Sequence, residues 1–595
     1  MKNLLIVNID ENIKEASYLI NKNRENLFIL YLNNNIINKD IEHELLDELF
    51  LPEYASEIYD FTRNFSKTWH KSIESELKYF DLSLPNLTQQ DILKLWPILL
   101  KIKILTKFFK NNNFDNIHVV TEYEEDIRII NEIFKNKNIK SFLLKKSSKQ
   151  SPNLKDIYYK LIARFQNHLL RNYLSKKKNK YNIMFLGNVR QNANLLKNLR
   201  KNPKNTVIRA GENVGRALFT ETCDYYLTFK EFNNKKINKI IEEQKIILLE
   251  KFNKLKLKDK IFYGVNLFNV LEPNFRKLFL NDFIRLIKYI EIFKLLSKNL
   301  DIVVAHNDVI SFEKTVIKTA NKLGIKTLTM IEGFLPIKQI KKETQFIPFN
   351  AKIMAVHSEE QKKAIIKEGI SKDRLVVTGY PDFDKYFNSR PLKKELIYKR
   401  YNIPLNKKII LYVGERYTKN KYESSIWAAQ TQEQYKKVYR ELFNAVEQFP
   451  DLFLIIKKHP SGSLEENIIK DLAKKENFNN FVIIDDMDIY NILNASYGII
   501  TRLSTMALEA MLIKKPVIIM DTYFDTNDNF GYTMFNAALH AKKQGDLKKL
   551  LKLIYNEDVI KKLQNNMDKF VNYNYSVKGN ASSRMAELIE NIIKK

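Results

Sequence analysis

The chain of 595 residues carries a formal net charge of +30, and 45% of its residues are hydrophobic. This length is too great for one hydrophobic core, and the apolar content is too high for a disordered chain, so two or three globular domains are expected. The single cysteine, Cys223, excludes an intramolecular disulfide and a thiolate metal site.

The first predicted block, residues 1–150, is an α/β region. Its short apolar runs predict strands at 4–9, 27–32, 117–121 and 141–144. A helical insertion is predicted at about 40–112. A basic amphipathic helix near 153–175 and a lysine-rich linker make up residues 151–180.

Two further blocks follow, at residues 181–390 and 396–595. Short apolar runs predict strands of the second block at 183–186, 206–208, 302–305, 327–331, 353–356 and 374–378. They predict strands of the third block at 408–413, 452–457, 481–484, 498–501 and 516–520. Such runs alternate with long amphipathic stretches, which is typical of βαβ units and of parallel sheets covered on both faces.

The positive charge comes from lysines scattered along the chain, which are expected to cover solvated faces. Attraction to an anionic membrane surface or substrate remains a second interpretation. Nucleic acid is not an expected partner, because the sequence has no zinc knuckle, helix-turn-helix or RNA-binding aromatic motif. The first apolar run is too short for a signal peptide and no run approaches 18 residues, so we expect a cytoplasmic protein without a membrane span. Peripheral contact with the inner face of the cell membrane stays open.

Ligands of open parallel sheets bind beyond the carboxyl ends of the strands, so the residues that follow each strand are the candidates for chemistry. Lys458, His459 and Pro460 follow the strand at 452–457. A histidine there can donate to a phosphate, the lysine adds charge, and the proline fixes the turn. The alternative is a histidine that only satisfies a loop carbonyl.

A hydroxyl pair, Ser504 and Thr505, follows the strand at 498–501 and begins a helix. Free N–H groups and two hydroxyls at a helix start favour an anion. Glu509 lies one turn further on and is a candidate for holding ribose hydroxyls. The alternative is simple N-capping by Ser504, with Glu509 on a solvated face.

An acidic loop, Glu332-Gly333, follows the strand at 327–331. Its carboxylate is expected to point into the cleft between the second and third blocks, where a general base would deprotonate an acceptor hydroxyl. Gly414 and Arg416 follow the first strand of the third block and are expected to face donor phosphates. The alternative for Glu332 is an acid in a loop without a catalytic role, and the alternative for Arg416 is a surface arginine without a substrate contact.

These segments, in this order and together with residues 375–384, resemble bacterial GT-B transferases of surface polysaccharides. They are similar to the CDP-glycerol glycerophosphotransferases, and to the sialyltransferases and Kdo transferases that carry D/E-D/E-G, H-P and S-S/T motifs. The resemblance covers about residues 300–590. It implies two facing Rossmann-like domains with a cleft between them, the acceptor-side domain at 181–390 and the nucleotide-donor-binding domain at 396–595.

The resemblance also implies roles for the candidate residues. Glu332 matches the acidic general base, and His459 matches the histidine that contacts the donor phosphate. Ser504 and Thr505 match the hydroxyls that bind the same phosphate, and Glu509 matches a ribose-binding acid. The chain departs from the pattern in one place: Ile331 occupies the first acidic position, and the chain has Glu332-Gly333 where glycerophosphotransferases usually have His-Gly. That departure favours a CMP-activated donor.

The resulting prediction is a metal-independent glycosyltransferase with no cofactor beyond its nucleotide-activated donor. It moves a sialic-acid-type or Kdo-type sugar from CMP to a hydroxyl of a capsule polysaccharide or another glycan, lipid-linked or protein acceptor, with Glu332 as general base. The alternatives are a CDP-glycerol-type glycerophosphotransferase, a UDP-sugar transferase or 2-epimerase, and a non-catalytic scaffold of polysaccharide assembly. A metal-dependent enzyme would need an Asp-x-Asp loop, which Asp486 and Asp488 match in letters only.

Overall fold

The structure is a computed structural model that describes most of the chain. It covers residues 3–595 except 10–12, 23–26, 34–35, 38–39, 47–48, 50–51, 70, 72, 89–94, 136–138, 145–153, 177–179, 188–191, 214–221, 255–260, 332, 341–348, 415–431, 459–464, 486–488, 503, 524–527 and 529.

The first part of the chain forms a parallel sheet, its helices and one small hairpin. In chain order these elements are β1 (Asn3–Asn8), α1 (Ile13–Lys22), β2 (Leu27–Tyr31), β3 (His43–Leu45), α2 (Pro52–Thr68), β4 (Lys78–Tyr79), β5 (Leu82–Ser83), α3 (Leu84–Leu87), α4 (Trp96–Asn111), β6 (Asn116–Thr121), α5 (Glu124–Ile133), β7 (Ile139–Leu143) and α6 (Leu154–Leu174).

The middle part contains the longest helix, a second hairpin and a second parallel sheet. Its elements are β8 (Tyr181–Leu186), α7 (Ala193–Lys201), β9 (Asn205–Gly211), β10 (Tyr225–Thr228), α8 (Lys235–Lys254), β11 (Ile261–Phe262), β12 (Val265–Asn266), α9 (Leu267–Leu296), β13 (Ile302–Ala305), α10 (Ser311–Lys322), β14 (Lys326–Met330), β15 (Ile353–Val356), α11 (Glu359–Lys367) and β16 (Leu375–Val377).

A connecting segment and a third parallel sheet complete the chain. Their elements are α12 (Lys385–Asn388), α13 (Lys394–Arg400), β17 (Lys408–Val413), α14 (Gln432–Glu447), β18 (Leu452–Lys457), α15 (Glu465–Lys475), β19 (Phe481–Ile484), α16 (Ile489–Ala495), β20 (Gly498–Thr501), α17 (Met506–Leu512), β21 (Val517–Met520), β22 (Leu539–Ala541), α18 (Asp546–Leu553), α19 (Glu557–Asn574) and α20 (Ala581–Lys594).

The three parallel sheets share one strand order. The first sheet runs β3-β2-β1-β6-β7, the middle sheet β10-β9-β8-β13-β14-β15-β16, and the third sheet β19-β18-β17-β20-β21-β22. In each, the chain starts at an inner strand, moves to one edge, and returns to build the other half. This is the doubly wound Rossmann order, with a topological switch point between the first and fourth strands. The predicted α/β class with Rossmann-like parallel sheets is confirmed.

Most of the predicted strands agree with the structure, whereas three short edge strands of the parallel sheets were missed. The runs predicted at 302–305, 353–356, 452–457, 481–484 and 498–501 have the observed bounds. The strands missed in the three parallel sheets are β3, β10 and β22, each of only three or four residues. The four hairpin strands β4, β5, β11 and β12 were missed as well. The predicted helical insertion at 40–112 was therefore wrong in part, since β3 and the hairpin β4-β5 lie inside it. Runs this short show no periodicity.

The last helix, α20, crosses back to the middle sheet. Met585, Ile589 and Ile593 are buried in one cluster with Ile183 and Phe185 of β8. The preceding helix α19 instead packs in the core of the third sheet. The packing of α20 thus differs from its assignment to the block at 396–595, because its apolar face covers the middle sheet.

The predicted helix near 153–175 is present as α6, and it lies along the edge of the middle sheet. The Asn167 side chain donates to the Thr228 carbonyl at 2.9 Å and accepts from the Thr228 N–H at 2.8 Å. It thereby satisfies backbone groups of the edge strand β10, which would otherwise be open to pairing. Among the described residues no helix has the length and apolarity needed to cross a membrane.

Candidate functional site

The structure describes six of the ten site residues predicted from the sequence. Glu332, Arg416, His459 and Pro460 lie outside the described residues, as do Asp486 and Asp488. The described residues are Gly333, Gly414, Lys458, Ser504, Thr505 and Glu509.

The loop after β14 and the segment after β20 meet. Gly333 has a φ of +63°, in the left-handed region that favours glycine, and a Cβ placed on it would lie 3.4 Å from Cγ2 of Thr505. The carboxyl edges of the middle and third sheets therefore face each other at this point. Two groups of residues that the sequence separates by about 170 positions therefore lie close together.

Phe334 anchors the acidic loop in the third sheet's core. Its side chain is 5% exposed, and its ring centroid lies 5.8 Å from that of Tyr532, 6.2 Å from Phe570 and 6.4 Å from Phe530. The Tyr532 hydroxyl donates to the backbone carbonyl of Ser504 at 2.7 Å. The residue next to Gly333 and the hydroxyl segment are thus held by the same aromatic cluster.

The hydroxyl pair begins a short helix, α17. Ser504 Oγ accepts from the Met506 N–H at 3.3 Å, which is the local capping that the sequence left as an alternative. The Thr505 side chain makes no capping hydrogen bond. Just before this pair, the Oγ1 atom of Thr501 is buried and has no hydrogen-bond partner within the described part of the chain.

Glu509 is buried, so the alternative of a solvated face is wrong. Its carboxylate accepts a hydrogen bond from the Tyr386 hydroxyl, and Lys385 Nζ lies 3.9 Å away. Burial, followed by the Glu509 charge, raises the pKa of Tyr386 well above its usual value. Both partners belong to the connecting segment, so Glu509 ties that segment to α17.

Gly414 and Lys458 lie at the carboxyl edge of the third sheet. A Cβ on Gly414 would lie 3.2 Å from the Lys457 carbonyl oxygen, so only glycine allows this close approach without a shift. Lys458 Nζ forms an ion pair with Glu466 at 2.8 Å. Hydrogen bonds from Lys458 and then Lys470 lower the pKa of Glu466 to about 2. The charge that Lys458 brings is therefore already met by a carboxylate.

Two histidines beside the acidic loop were missed by the sequence analysis. His306 directly follows β13 and His357 directly follows β15, the two neighbours of β14 in the sheet. Both are buried, and His306 Nε2 lies 3.2 Å from the Tyr380 hydroxyl. Burial lowers the pKa of His357 to about 4, with the Ile331 carbonyl opposing it. The signal was available, because each histidine is the first residue after a buried strand.

The architecture defines a class. Two doubly wound sheets face each other through their carboxyl edges, and the loops that meet there carry an acid on one side and hydroxyls on the other. Residues 321–591 match the sequence family described as CDP-Glycerol:Poly(glycerophosphate) glycerophosphotransferase. The match spans somewhat less than half of the chain and includes every predicted site residue. It confirms the prediction of an enzyme, a transferase of the glycosyltransferase type. It agrees with the CDP-glycerol alternative and gives no support to a CMP-sugar donor.

Solved structures similar to this chain include three enzymes. A glycosyltransferase from Rickettsia africae ESF-5 is 18% identical over 70% of this chain and 100% of its own, with a TM-score of 0.42. The wall teichoic acid polymerase TagF is 14% identical over 75% and 99%, with a TM-score of 0.43. The UDP-GlcNAc 2-epimerase from Neisseria meningitidis is 15% identical over 70% and 100%, with a TM-score of 0.42. No curated protein matches the chain significantly.

Proposed function

We propose that the protein is a glycerophosphotransferase that moves a glycerol phosphate unit from CDP-glycerol to a hydroxyl of a cell-surface polymer. The observation that carries the proposal is the proximity of Gly333 and Thr505 inside the segment that matches the glycerophosphotransferase family. This proximity supports a single site shared by the acidic loop and the hydroxyl segment.

The reaction is a displacement at phosphorus. Glu332 takes the proton of the acceptor hydroxyl, and the freed oxygen attacks the glycerol-bearing phosphorus of the donor. A new P–O bond forms, the bond to the bridging oxygen breaks, and CMP leaves with that oxygen. His459 and the hydroxyls of Ser504 and Thr505 donate to the departing phosphate. The proposal requires no metal ion, because these donors meet the charge.

A second candidate is transfer of a sugar from a CMP-activated donor. It is favoured by one specific observation, the glutamate at position 332, where glycerophosphotransferases usually have histidine. Here the same acceptor oxygen attacks the anomeric carbon, and CMP again leaves. The two candidates use the same residues and differ in the atom that is attacked.

Thermal unfolding with CDP-glycerol, CDP, CMP, UDP or GDP, each with and without EDTA, tests the proposal. A nucleotide at 100 times its dissociation constant stabilises by about 2.7 kcal/mol. We expect a response to CDP-glycerol and CDP that EDTA leaves unchanged and that His459→Ala abolishes. His168→Ala, a histidine exposed on α6, is the matched control.

Each other outcome points to a different function. A response to CMP alone favours the CMP-sugar candidate, and a response to UDP alone favours a UDP-sugar transferase or 2-epimerase. No response to any nucleotide would refute a nucleotide-dependent enzyme and leave the scaffold hypothesis. In a transfer assay, Glu332→Gln should abolish product while the response to CDP-glycerol remains.

We include in this proposal that the protein binds the anionic inner face of the cytoplasmic membrane. Helix α6 exposes five large apolar side chains, each 37–60% exposed and clustered on one face: Ile157, Tyr158, Leu161, Phe165 and Leu169. Exposed Lys160, Arg164 and Arg171 border that face. An apolar stripe beside a row of cations is the pattern of a helix that lies in an anionic lipid interface. Contact through α6 would bring the cleft to a lipid-linked acceptor.

A further inference from the structure

A cavity of about 360 Å³ lies at the carboxyl edge of the middle sheet, away from the acidic loop. Glu212 directly follows β9 and Lys230 lies two residues after β10, so both are at the ends of their strands. Helix α9 closes the other side with Arg285, Lys288 and Tyr289. None of these residues is assigned a role in the proposed transfer.

The floor of the cavity is a fixed carboxylate. Glu212 accepts a hydrogen bond from the Tyr289 hydroxyl at 2.7 Å, and Arg285 Nη1 lies 3.2 Å from the same carboxylate oxygen. Arg285 also pairs with Asp282 at 2.8 Å. A carboxylate held in this way has lone pairs left to accept hydrogen bonds from the hydroxyls of a ligand.

The wall of the cavity offers a lysine that forms no ion pair among the described residues. Lys288 Nζ donates to the Lys230 carbonyl at 2.8 Å, and in the described part of the chain it has no carboxylate within ion-pair distance. Glu231 acts on it only at longer range and lies 3.7 Å from Arg164. Arg285 Nε is buried and has no hydrogen-bond partner among the described residues. Burial lowers the pKa of Lys288, which an anion beside it would reverse.

The position of the cavity suits a distal part of the acceptor. In the middle sheet β13 and β8 separate β14 from β9, so three strand spacings of about 4.8 Å put the cavity roughly 14 Å from the acidic loop. A second cavity of about 370 Å³ contains Lys298, Asp301 and Lys326. It lies at the amino ends of β13 and β14, on the opposite edge of the sheet, where no acceptor would reach the cleft.

We infer that the cavity beside α9 is a subsite for an anionic, hydroxyl-bearing unit of the acceptor. Lys288 holds its phosphate or carboxylate, and Glu212 accepts from its hydroxyl. The inference rests on the proposed function for the existence of an acceptor, and it names the acceptor's chemistry as polyanionic. A phosphorylated polyol and an acidic sugar share this chemistry.

Saturation-transfer NMR on the full chain tests the subsite with small probes. The probes are glycerol 3-phosphate and galacturonic acid, with glycerol and galactose as their uncharged counterparts. Lys288→Met removes the charge and keeps the length of the side chain. Lys298→Met, in the cavity at the other edge, is the matched control. We expect transfer to a charged probe and not to its neutral counterpart, with about tenfold weaker binding in Lys288→Met alone.

The outcomes separate this inference from the proposed function. The probe that binds more tightly identifies the anionic group of the acceptor unit. Preference for glycerol 3-phosphate indicates a phosphate, and preference for galacturonic acid indicates a carboxylate. Equal binding by Lys288→Met and the unmodified chain, or equal loss in Lys298→Met, overturns the subsite. The nucleotide response does not involve Lys288, so it can persist when the subsite fails. In transfer assays Lys288→Met should raise the KM for a charged acceptor about tenfold and leave kcat and the donor KM unchanged.

Discussion

Replacing Phe334 by alanine tests whether the acidic loop is held by the third sheet's core. The ring is buried among Tyr532, Phe570 and Phe530, and each such aromatic contact contributes about 0.5–1.5 kcal/mol beyond burial. Removing a buried phenylalanine side chain costs about 3–5 kcal/mol, a large part of a domain's stability. The loop also loses its attachment, so Gly333 no longer stays beside Thr505. We expect a lower urea midpoint and a disproportionate loss of kcat.

The matched control for Phe334→Ala is Phe443→Ala. Phe443 is buried in the other cluster of the third sheet, where its ring stacks on Phe478 at 4.7 Å. Both variants should lose about 3–5 kcal/mol in urea unfolding followed by far-ultraviolet circular dichroism. Only Phe334→Ala should lower transfer at saturating CDP-glycerol, measured below the unfolding transition. Equal activity in the two variants would refute the anchoring role, whatever their stabilities.

Three further perturbations address the edge of the middle sheet and helix α6. A Cβ on Gly187 would lie 2.5 Å from Cβ of a buried histidine, whereas one on Gly264 meets nothing within 4 Å; both have positive φ. Gly187→Ala should therefore cost about 1–3 kcal/mol more than Gly264→Ala in urea unfolding, and equal losses would remove the steric argument. Burial holds the pKa of His357 at about 4, below its unfolded value, so only the unfolded state gains its proton as the pH falls from 6.5 to 4. Stability should fall by about 1.4 kcal/mol per pH unit across that window, and His357→Leu should flatten the slope by this amount. Phe165→Ser should weaken flotation with phosphatidylglycerol vesicles roughly tenfold, and no variant should bind phosphatidylcholine vesicles. Leu405→Ser changes an exposed leucine of the third block and should leave flotation unchanged. Identical flotation of both variants would exclude α6 as the membrane contact.

The sequence predicts the sheet centres well because each central strand is an apolar run bounded by loop residues. The short edge strands β3 and β22 form because they pair with a neighbouring strand. Their sequences contain polar residues and show no apolar alternation from which a strand could be predicted. The return of α20 to the middle sheet could not be predicted either. Its amphipathic face would fit any apolar sheet, and Asp384, which accepts from the N–H groups of Ala581 and Ser582, fixes the choice through a contact between segments distant in sequence.

The proximity of two candidate segments could be predicted where polar residues follow directly after a strand. The rule that ligands bind beyond carboxyl ends led to Gly333 and Thr505, which lie close together in the structure. The same rule, applied to every strand, would have found His306 and His357. The partners of Glu509 were out of reach, because Tyr386 lies in a connecting segment whose direction depends on how the two sheets pack.

The common strand order gives the first sheet a switch point as well. Its switch point lies between β1 and β6, where a doubly wound sheet opens a crevice. Here Asp126 occupies that point and accepts from Asn8 at 2.6 Å, Lys101 at 2.7 Å and Thr121 at 2.8 Å. Asn8 and Thr121 are the last residues of β1 and β6. The ion pair of Lys101 with Asp126 therefore lies at the switch point between these two strands. Breaking such a buried pair would leave an uncompensated charge. Among the described residues the first sheet therefore keeps the Rossmann order and holds an ion pair at its switch point, whereas the middle and third sheets direct their carboxyl edges toward each other.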